Sequence, residues 1–436
     1  MAYWEQVEVP PSFTGVTRAE RQGGRYHRYR PDLLTDTVNT LSPEVLEYAA
    51  AVSTVLTRLG DRLRANPLPI LYSTMIRSES ISSSWIEGIR ETPRAVALAQ
   101  IGDQLASHDA SQIVRNVTAM REAIDLLGRG AWTHEQIWQI QHDLLPWHTE
   151  GYRSAQVWIG GTNPLNADYA APPGDAVPAL MDDLLGYANS SGDLPIVTAA
   201  IVHAQFETVH PFEDGNGRVG RALVHGVLKR AGLVDGGVIP LSTALRGDVR
   251  GYVEALTAYR YEGEPATARE PALNAYVSQF LGYTEIATAA AEHFVDAATA
   301  IHQRWRHAVA GVRSDSAVHR AVDLVVEHPV VSAKFVADSL HISSVSAHKI
   351  IKQLIEVNIL KPATGKYRKS ALFQADEVLT LLAFGSEAGP RNTLPAPPEE
   401  TAALQIVHRC GFPLNGGPCQ NRVPADGQRC WRHRTG

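Results

Sequence analysis

Apolar residues recur at three- and four-residue spacing along most of the chain between Leu41 and Gly311. This spacing places them on one face of an α-helix. The segments that show it are SPEVLEYAAAVSTVLTRLGDRLRA, HEQIWQIQHDLL, VPALMDDLLGYANSS, PIVTAAIVHAQFETV and GRVGRALVHGVLKRAG. The pattern predicts a mainly α-helical bundle.

A different pattern occupies the segment from Gly151 to Asp175, GYRSAQVWIGGTNPLNADYAAPPGD. Short apolar runs lie around Gly160 and Gly161, and prolines follow towards the end of the segment. Glycines between short apolar runs are typical of turns that join β-strands. We therefore predict a β-hairpin that lies on the helical bundle.

The pattern changes again between Ser316 and Leu381. VVSAKFVADSLHISSVSAHKIIKQLIEVNIL predicts two helices joined by a short turn, and KPATGKYRKSALFQ predicts a hairpin-like wing. This order is typical of a winged helix-turn-helix. Side chains that can contact DNA lie on the second helix and in the wing, at Ser343, Ser344, Ser346, His348, Lys349, Lys352, Lys366, Arg368 and Lys369. DNA binding is one interpretation, and protein docking or formation of a homodimer is the alternative.

The last part of the chain is first proline-rich and then cysteine-rich. Residues 385–400, GSEAGPRNTLPAPPEE, predict a poorly packing linker. Three thiolates and one imidazole that suit a tetrahedral Zn²⁺ ion follow, at Cys410, Cys419, Cys430 and His433. His408 is an alternative fourth ligand. Because so short a tail cannot build its own core, we predict a structural zinc module, with three unliganded thiols as the alternative.

Composition limits the classes of protein that fit. Of the 436 residues 44% are hydrophobic and 20% charged, which is typical of a globular protein rather than a disordered one. A net charge of −6 argues against a chain that coats nucleic acid, although local basic patches remain. The first residues lack a basic stretch followed by an apolar one, and no apolar run of about eighteen residues occurs. We therefore predict a cytoplasmic protein with no membrane partner.

One segment, HPFEDGNGRVGR at 210–221, concentrates chemically useful residues. Gly215 and Gly217 allow close approach of the backbone to a ligand, and Asn216 can adopt a left-handed conformation and donate its amide. Backbone N–H groups in such a turn and the start of the following helix together form an anion pocket.

Charged side chains in the same segment suit a nucleotide. Arg218 and Arg221 lie three residues apart on the predicted helix, so both can face the same phosphates. Asp214 is placed to hold Mg²⁺, which binds through carboxylate and phosphate oxygens. His210 ends the preceding helix because Pro211 disfavours a helical conformation before it, and its imidazole can take a proton from a hydroxyl. The segment predicts a phosphate pocket with a metal and a base, and a second substrate must supply the nucleophile.

This segment resembles the signature of the Fic-domain family, His-x-Phe-x-Asp/Glu-Gly-Asn-x-Arg-x-x-Arg, at every fixed position. The resemblance extends over about residues 40–262, including HAQFETV and QVWIGG. It implies transfer of AMP from ATP to a Ser, Thr or Tyr hydroxyl of a target protein. By position it implies a base at His210, a buried anchor at Phe212, an Mg²⁺ ligand at Asp214, an anion hole at Gly215, Asn216 and Gly217, and contacts to the β- and γ-phosphates at Arg218 and Arg221.

The resemblance also implies roles for the hairpin and for one tyrosine. An extended target segment can add to the open edge of the hairpin as a further strand. Val157, Trp158 and Ile159 are the candidates for that edge, and the alternative is that Trp158 only packs on the bundle. Tyr252 lies where family members often line the adenine pocket, and a core tyrosine is the alternative.

Upstream, SISSSWIEGI at 80–89 places Ser83 and Glu87 four residues apart on one predicted helix face, followed by Gly88. It resembles the inhibitory Ser/Thr-x-x-x-Glu-Gly/Asn motif of some Fic proteins. The resemblance implies that Glu87 pairs bidentately with Arg218 and occupies the space of the γ-phosphate, so that ATP binds in a skewed position. The alternative is an exposed helix end that Gly88 caps.

Together these patterns predict a mainly α fold, with a Fic-type bundle, a β-hairpin flap, a winged helix-turn-helix and a zinc-ribbon-like tail. The predicted regions are an N-terminal helical region with the inhibitory helix (1–131), the catalytic core (132–262), connecting helices (263–311), the winged helix-turn-helix (312–386), the linker (387–403) and the cysteine-rich tail (404–436). The predicted function is an autoinhibited protein adenylyltransferase that also modifies itself. The alternatives are a Fic enzyme that removes AMP, or does both, and a winged-helix DNA-binding regulator whose Fic core senses nucleotide.

Overall fold

A computed structural model describes residues 1–12, 21–35, 40–66, 68–102, 106–234, 238–363, 371–384, 413–414 and 417–418. The chain divides into two units, Met1–Glu387 and Ala388–Gly436. In the second unit, Pro413–Leu414 pairs antiparallel with Gly417–Pro418. The predicted zinc ligands lie outside the described residues, at Cys410, Cys419, Cys430 and His433, with the alternative His408. Among the described helices, none is both long and apolar enough to cross a membrane.

The first unit begins with a β-hairpin. Strand β1 (Tyr3–Val9) pairs antiparallel with strand β2 (Gly24–Arg30). Hydrogen bonds from Arg28 and Arg30 lower the pKa of Glu5 to about 2. The prediction of a helical region from residue 1 is therefore wrong for its first part. Cross-strand charge pairs and ring contacts stabilise this pairing, and neither segment shows them by itself.

The bundle itself is helical. Its helices are α1 (Pro43–Ala65), α2 (Pro69–Ile86), α3 (Pro93–Gln100), α4 (His108–Leu127), α5 (His134–Leu144), α6 (Val177–Ser190), α7 (Pro195–Val209), α8 (Asn216–Arg230), α9 (Leu241–Gly247) and α10 (Val249–Tyr259). The helices predicted from periodic apolar segments are confirmed as α1, α5, α6, α7 and α8.

The starts of these helices follow from local sequence. The hydroxyl of Ser42 accepts a hydrogen bond from the backbone N–H of Val45 at the start of α1. Thr133 and Gln136 form a reciprocal capping box at the start of α5. Prolines stand in the first turn of α1, α2, α3, α6 and α7, where the backbone nitrogen needs no partner within the helix.

A long helix, α11 (Glu270–Ala308), follows a π-helical turn at Pro265–Arg269. It packs against α1, α2, α9 and α10. The region 263–311, predicted as several connecting helices, therefore contains one helix of 39 residues. Its alanine-rich middle part, ATAAAEHFVDAATA, has a high helix propensity and contains no residue that would end the helix.

Two helices lie at the centre of the bundle. Every residue of α7 after Pro195 is buried. Helix α2 is also buried, but many of its buried residues are polar, including Arg77, Glu79 and most of its serines. Glu79 accepts a hydrogen bond from the backbone N–H of Ser242 (2.7 Å) and lies 3.1 Å from Nε2 of His225. Polar contacts therefore help to fix the position of α2.

The predicted β-hairpin is confirmed between α5 and α6, with short strands. Strand β3 (Trp158–Ile159) pairs antiparallel with β4 (Tyr169–Ala170). We call residues 155–172 the flap. Trp158 and Ile159 are exposed, whereas Tyr169 is buried in a cluster with Tyr29 of the N-terminal hairpin. The N-terminal hairpin therefore supports the flap from one side.

The elements after α11 are α12 (Ala317–Glu327), β5 (Val330–Ser332), α13 (Ala333–Leu340), α14 (Ser344–Glu356), β6 (Lys361–Pro362), β7 (Leu372–Gln374) and α15 (Asp376–Phe384). The strands form an antiparallel sheet in the order β5, β7, β6. Helices α12 and α15 pack against α2. The predicted wing residues Lys366, Arg368 and Lys369 lie outside the described residues.

Candidate active site

Residues 210–221 form the junction between α7 and α8. Helix α7 ends at Val209, and His210 adopts a left-handed conformation with φ 50° and ψ 61°. Gly215 is also left-handed, with φ 88°, and α8 begins at Asn216. A left-handed conformation costs a non-glycine residue about 1–2 kcal/mol, so surrounding contacts must hold His210 in place.

The side chain of Asn216 closes the loop between the two helices. Its Oδ1 accepts a hydrogen bond from the backbone N–H of Phe212, and its Nδ2 donates to the carbonyl of Phe212, both at 2.9 Å. Asn216 is helical rather than left-handed, and its place in an anion hole, including any contact of its side-chain amide with a ligand, stays a prediction. The loop uses that amide internally, and Gly215 is the left-handed residue. Phe212 is buried against Tyr152 and Phe206, which anchors the loop.

The predicted anion pocket would lie at the N-terminus of α8. The first backbone N–H groups of a helix have no partners within it, and they carry a partial positive charge. Arg218 and Arg221 add two buried guanidinium groups at the same end. The structure thus brings together the backbone turn and the two arginines that the sequence indicated.

The last turn of α2 holds Arg221. Nε of Arg221 donates to Oγ of Ser83 (2.9 Å), and Nη2 donates to the carbonyl of Ser83 (3.0 Å) and to Oε1 of Glu87 (2.8 Å). The prediction that Glu87 pairs with Arg218 is therefore wrong. Arg218 donates to Oδ1 of Asp214 (3.3 Å) and to Oδ1 of Asn116 (3.5 Å). Ser83 and Glu87 lie one turn apart on α2, so they face Arg221 together.

Burial affects the pKa of both guanidinium groups. It lowers the pKa of Arg218. Burial also acts to lower the pKa of Arg221, but the negative charge of Glu87 opposes it and the pKa is raised. Both side chains therefore stay charged at neutral pH, and Arg221 depends on a counter-charge in its surroundings.

Glu87 lies against the first turn of α8. It caps the end of α2, and Gly88 after it is left-handed with φ 86°. A Cβ atom added at Gly217 would lie 2.0 Å from Oε1 of Glu87 and 2.8 Å from Nη1 of Arg221. Glu87 thus places a negative charge in the anion pocket, and the absence of a side chain at Gly217 leaves room for it.

Asp214 precedes α8 and has 54% of its side chain exposed. Its Oδ1 accepts hydrogen bonds from the backbone N–H of Gly215 (2.6 Å) and from Arg218, and its Oδ2 lies 3.8 Å from Nε2 of His148. One accessible carboxylate fits Mg²⁺, which binds through one or two carboxylates, phosphate oxygens and water. In the ranges that the structure describes, no cluster of three His, Cys, Asp or Glu side chains could hold a metal by itself.

His210 has a mostly buried imidazole. Burial, together with the positive charge of Arg260, lowers the pKa of His210 to about 4. The imidazole is therefore neutral at pH 7 and can accept a proton. Its Nδ1 is buried and lies 4.0 Å from Oε2 of Glu207, one turn earlier on α7.

Two buried residues behind the loop, Glu207 and His203, were missed by the sequence analysis. Burial raises the pKa of Glu207 to about 7 and lowers the pKa of His203 to about 3. Their spacing of three and seven residues before His210, on one face of α7, was the available signal. Nε2 of His203 lies 3.0 Å from the hydroxyl of Tyr252. Tyr252 is thus a buried tyrosine, and its contact with adenine stays a prediction.

Arg153, which precedes the flap, links it to the site, and the sequence around it gave no indication of this role. Val157 is half-buried, while Trp158 and Ile159 of the predicted docking edge are exposed. Nε of Arg153 donates to the carbonyl of His210 at 2.7 Å. A lone arginine gives no signal in the sequence when its partners are backbone carbonyls.

Two family models match the sequence of this chain. The model of the Fic/DOC family matches residues 131–228, and the model of the Fic/DOC family N-terminal region matches residues 46–125. The chain belongs to the Fic/DOC family. The Fic model includes His210 and α8, and the N-terminal model includes Ser83 and Glu87, so both sides of the anion pocket lie in matched regions.

Named proteins of other organisms are similar in sequence to this chain. Probable protein adenylyltransferase aq_aa38 of Aquifex aeolicus is 28% identical over 170 residues, covering 37% of this chain and 50% of the relative. Protein adenylyltransferase fic-1 of Caenorhabditis elegans is 30% identical over 141 residues, covering 28% of this chain and 26% of the relative. This chain therefore spans half or less of these two relatives. A crystal structure of a Fic family protein from Desulfovibrio desulfuricans G20 has a TM-score of 0.48 at 21% identity, covering 77% and 97% of the two chains.

We expect the imidazole of His210 to titrate near pH 4 in the free protein, because burial disfavours its charged form. It should stay neutral as the pH falls from 8 to about 5 and gain its proton only below that range. NMR of protein labelled with ¹⁵N-histidine measures this, and His210→Ala assigns the signal. Titration near 6.5, the ordinary value, would contradict the argument from burial.

Proposed function

We propose that this chain is a protein adenylyltransferase, which transfers AMP from ATP to a hydroxyl side chain of a target protein and of itself. The observation that carries the proposal is geometric: one short loop joins the mostly buried imidazole of His210 to a helix N-terminus that bears two buried arginines. The names of the relatives support the same reaction class. One loop then offers both a site for phosphates and a proton acceptor.

The N-terminus of α8 would supply most of the stabilisation of the transferred phosphate. Its backbone N–H groups and the guanidinium groups of Arg218 and Arg221 are in place before the substrate arrives, so little reorganisation is needed as charge develops. Because both arginines are buried, their charges act in a low dielectric. Preorganised donors of this kind contribute about 100- to 1,000-fold each to kcat.

His210 would act as the base. The hydroxyl oxygen of the target forms a bond to the α-phosphorus of ATP while the bond from that phosphorus to pyrophosphate breaks. The hydroxyl proton passes to the imidazole, which is neutral and ready to accept it at pH 7. Asp214 would hold Mg²⁺, and this ion would further neutralise the charge of the phosphates.

The position of Glu87 supports a second part of the proposal, that the enzyme is autoinhibited. Its carboxylate lies against Gly217 in the anion pocket and binds Arg221. A triphosphate that needs Arg221 competes with this carboxylate and is displaced from the position for in-line attack. Displacement by about 1 Å can cost about 100-fold in rate. A brake at Glu87 can therefore be strong without preventing ATP from binding.

We expect Glu87→Gly to raise self-modification by about 10- to 100-fold, because it frees Arg221 and removes a negative charge from the pocket. Incorporation of label from α-labelled ATP measures the transfer of AMP, and γ-labelled ATP controls for phosphoryl transfer. Glu262→Gly is the matched variant, since it removes an exposed carboxylate outside the site and should leave the rate unchanged. Adding His210→Ala to Glu87→Gly should abolish incorporation.

Equal rates in the wild type and Glu87→Gly would refute autoinhibition, and incorporation that survives His210→Ala would remove His210 from the role of base. The same variants test removal of AMP as the alternative activity. If Glu87 positions a water for that reaction, the wild type should release AMP from modified protein and Glu87→Gly should not.

Helix α14 favours DNA binding as a second function of the C-terminal region. It follows α13 after a short turn, and the antiparallel sheet β5–β7–β6 accompanies this pair, in the order predicted for a winged helix-turn-helix. Ala347, Ile350 and Ile351 are buried on one side of α14. Five of its exposed side chains can reach phosphates, and they are those of Ser344, Ser346, His348, Lys349 and Lys352.

We expect the full chain to retard duplex DNA in a gel-shift assay at low salt, with an affinity that falls steeply as salt rises. Lys349→Ala combined with Lys352→Ala should lower the slope of log affinity against log salt by about one for each lost contact. Arg58→Ala, which removes an exposed cation on α1, should leave the slope unchanged. If no complex forms at low salt, DNA binding is refuted and protein docking is favoured.

A further inference from the structure

Arg153 binds three consecutive backbone carbonyls where α7 ends. Its Nη2 donates to the carbonyl of Val209 (3.1 Å), its Nε to that of His210 (2.7 Å), and its backbone N–H to that of Pro211 (2.9 Å). The last carbonyls of a helix have no partners within it, and the helix dipole favours a cation at this end. One arginine thus holds the backbone on both sides of the left-handed His210.

The same guanidinium group binds both ends of the flap. Nη1 donates to the carbonyl of Ala155, which precedes β3, and Nη2 donates to the carbonyl of Pro172, which follows β4, both at 2.7 Å. Tyr169 in β4 adds a further link, because its hydroxyl donates to the carbonyl of Thr208 at 2.5 Å. The flap and the end of α7 are therefore joined by a single set of hydrogen bonds.

Arg153 is buried and charged, and its planar guanidinium group fixes the directions of these hydrogen bonds. The residue is 4% exposed, and burial lowers the pKa of its side chain to about 10, so the guanidinium remains charged at neutral pH. These bonds end on carbonyls rather than on a carboxylate. The planar fork of an arginine can hold several acceptors in fixed directions, which a lysine cannot do. The arrangement therefore sets distances between backbone segments instead of balancing a charge.

We propose that Arg153 is a positioning residue for AMP transfer, one that fixes the flap at a set distance from His210. This role rests on the proposed adenylyltransferase function, in which the imidazole removes the proton of the target hydroxyl, and on the prediction from the sequence that the flap docks the target segment. The two partners come from separate segments, so the rate depends on how well their relative position is held. A relative shift of about 1 Å can cost about 100-fold in rate.

The test uses Glu87→Gly as the active parent and adds Arg153→Lys or Arg153→Gln. We expect the single-turnover rate of self-modification at saturating ATP to fall about 10- to 100-fold in both. The dissociation constant of ATP, measured by equilibrium dialysis with labelled ATP, should change less than about twofold, because α8 rather than Arg153 builds the anion pocket. If Arg153 only stabilised the fold, its substitution would not lower the single-turnover rate while leaving the dissociation constant of ATP unchanged.

Two further variants distinguish a loss of positioning from a loss of stability. Tyr169→Phe removes one hydroxyl from the same set of bonds and keeps the ring that Arg260 covers at 3.5 Å, so it should give a smaller fall in rate. Arg269→Gln removes another buried arginine, outside the site, and should lower Tm without changing the rate of the folded protein.

The outcomes separate this role from the function on which it rests. An unchanged rate in folded Arg153 variants, or a loss of ATP affinity in proportion to the rate, would overturn the positioning role. If neither Arg153 variant folds, an unchanged rate in Tyr169→Phe overturns it. If the Glu87→Gly parent transfers no AMP to itself, the proposed function is overturned, and this role with it.

Discussion

A helix N-terminus beside two buried guanidinium groups requires a counter-anion, and this requirement organises the site. The partly exposed carboxylate of Glu87 lies against the first turn of α8 and binds the guanidinium of Arg221, which is itself buried away from water that could balance its charge. In the proposed function, phosphates of ATP take over this role. The protein would then exchange an internal carboxylate for a substrate anion, and the pocket would keep a negative partner in both states.

The same requirement explains why α2 is polar although it lies at the centre of the bundle. Buried polar groups are costly unless they have partners, and here Ser83 binds Arg221 while Oγ of Ser84 accepts a hydrogen bond from Asn116 (2.8 Å). These contacts set the rotation of α2 and direct Glu87 towards α8. Because α12 and α15 also pack on α2, these C-terminal helices contact the helix that Glu87 caps.

Local patterns in the sequence were sufficient for α1, α5, α6, α7 and α8 and for the turn of the flap, because these depend on near neighbours. The partner of Glu87 could not be predicted in this way. Arg218 and Arg221 are equivalent in the sequence, and the choice between them depends on the rotation of α2 against α8, which the whole core determines. Arg153 escaped prediction for a related reason, since its partners are backbone carbonyls from separate segments. The N-terminal hairpin likewise depends on contacts between two distant segments.

Burial gives the site its chemistry by acting in opposite directions on acids and bases of α7. It lowers the pKa of His210 and His203 and raises that of Glu207, so both histidines are neutral near pH 7 and Glu207 is partly protonated. The two neutral histidines add no positive charge behind the loop, and the ionised form of Glu207 acts with Glu87 to raise the pKa of Arg221. The low dielectric that keeps the base neutral also strengthens the attraction of the pocket for phosphates. Asp214 pairs with Arg218 and Glu87 pairs with Arg221, so withdrawing the carboxylate of Glu87 from the end of α2 would leave Arg221 without its ion-pair partner and make the pocket more cationic.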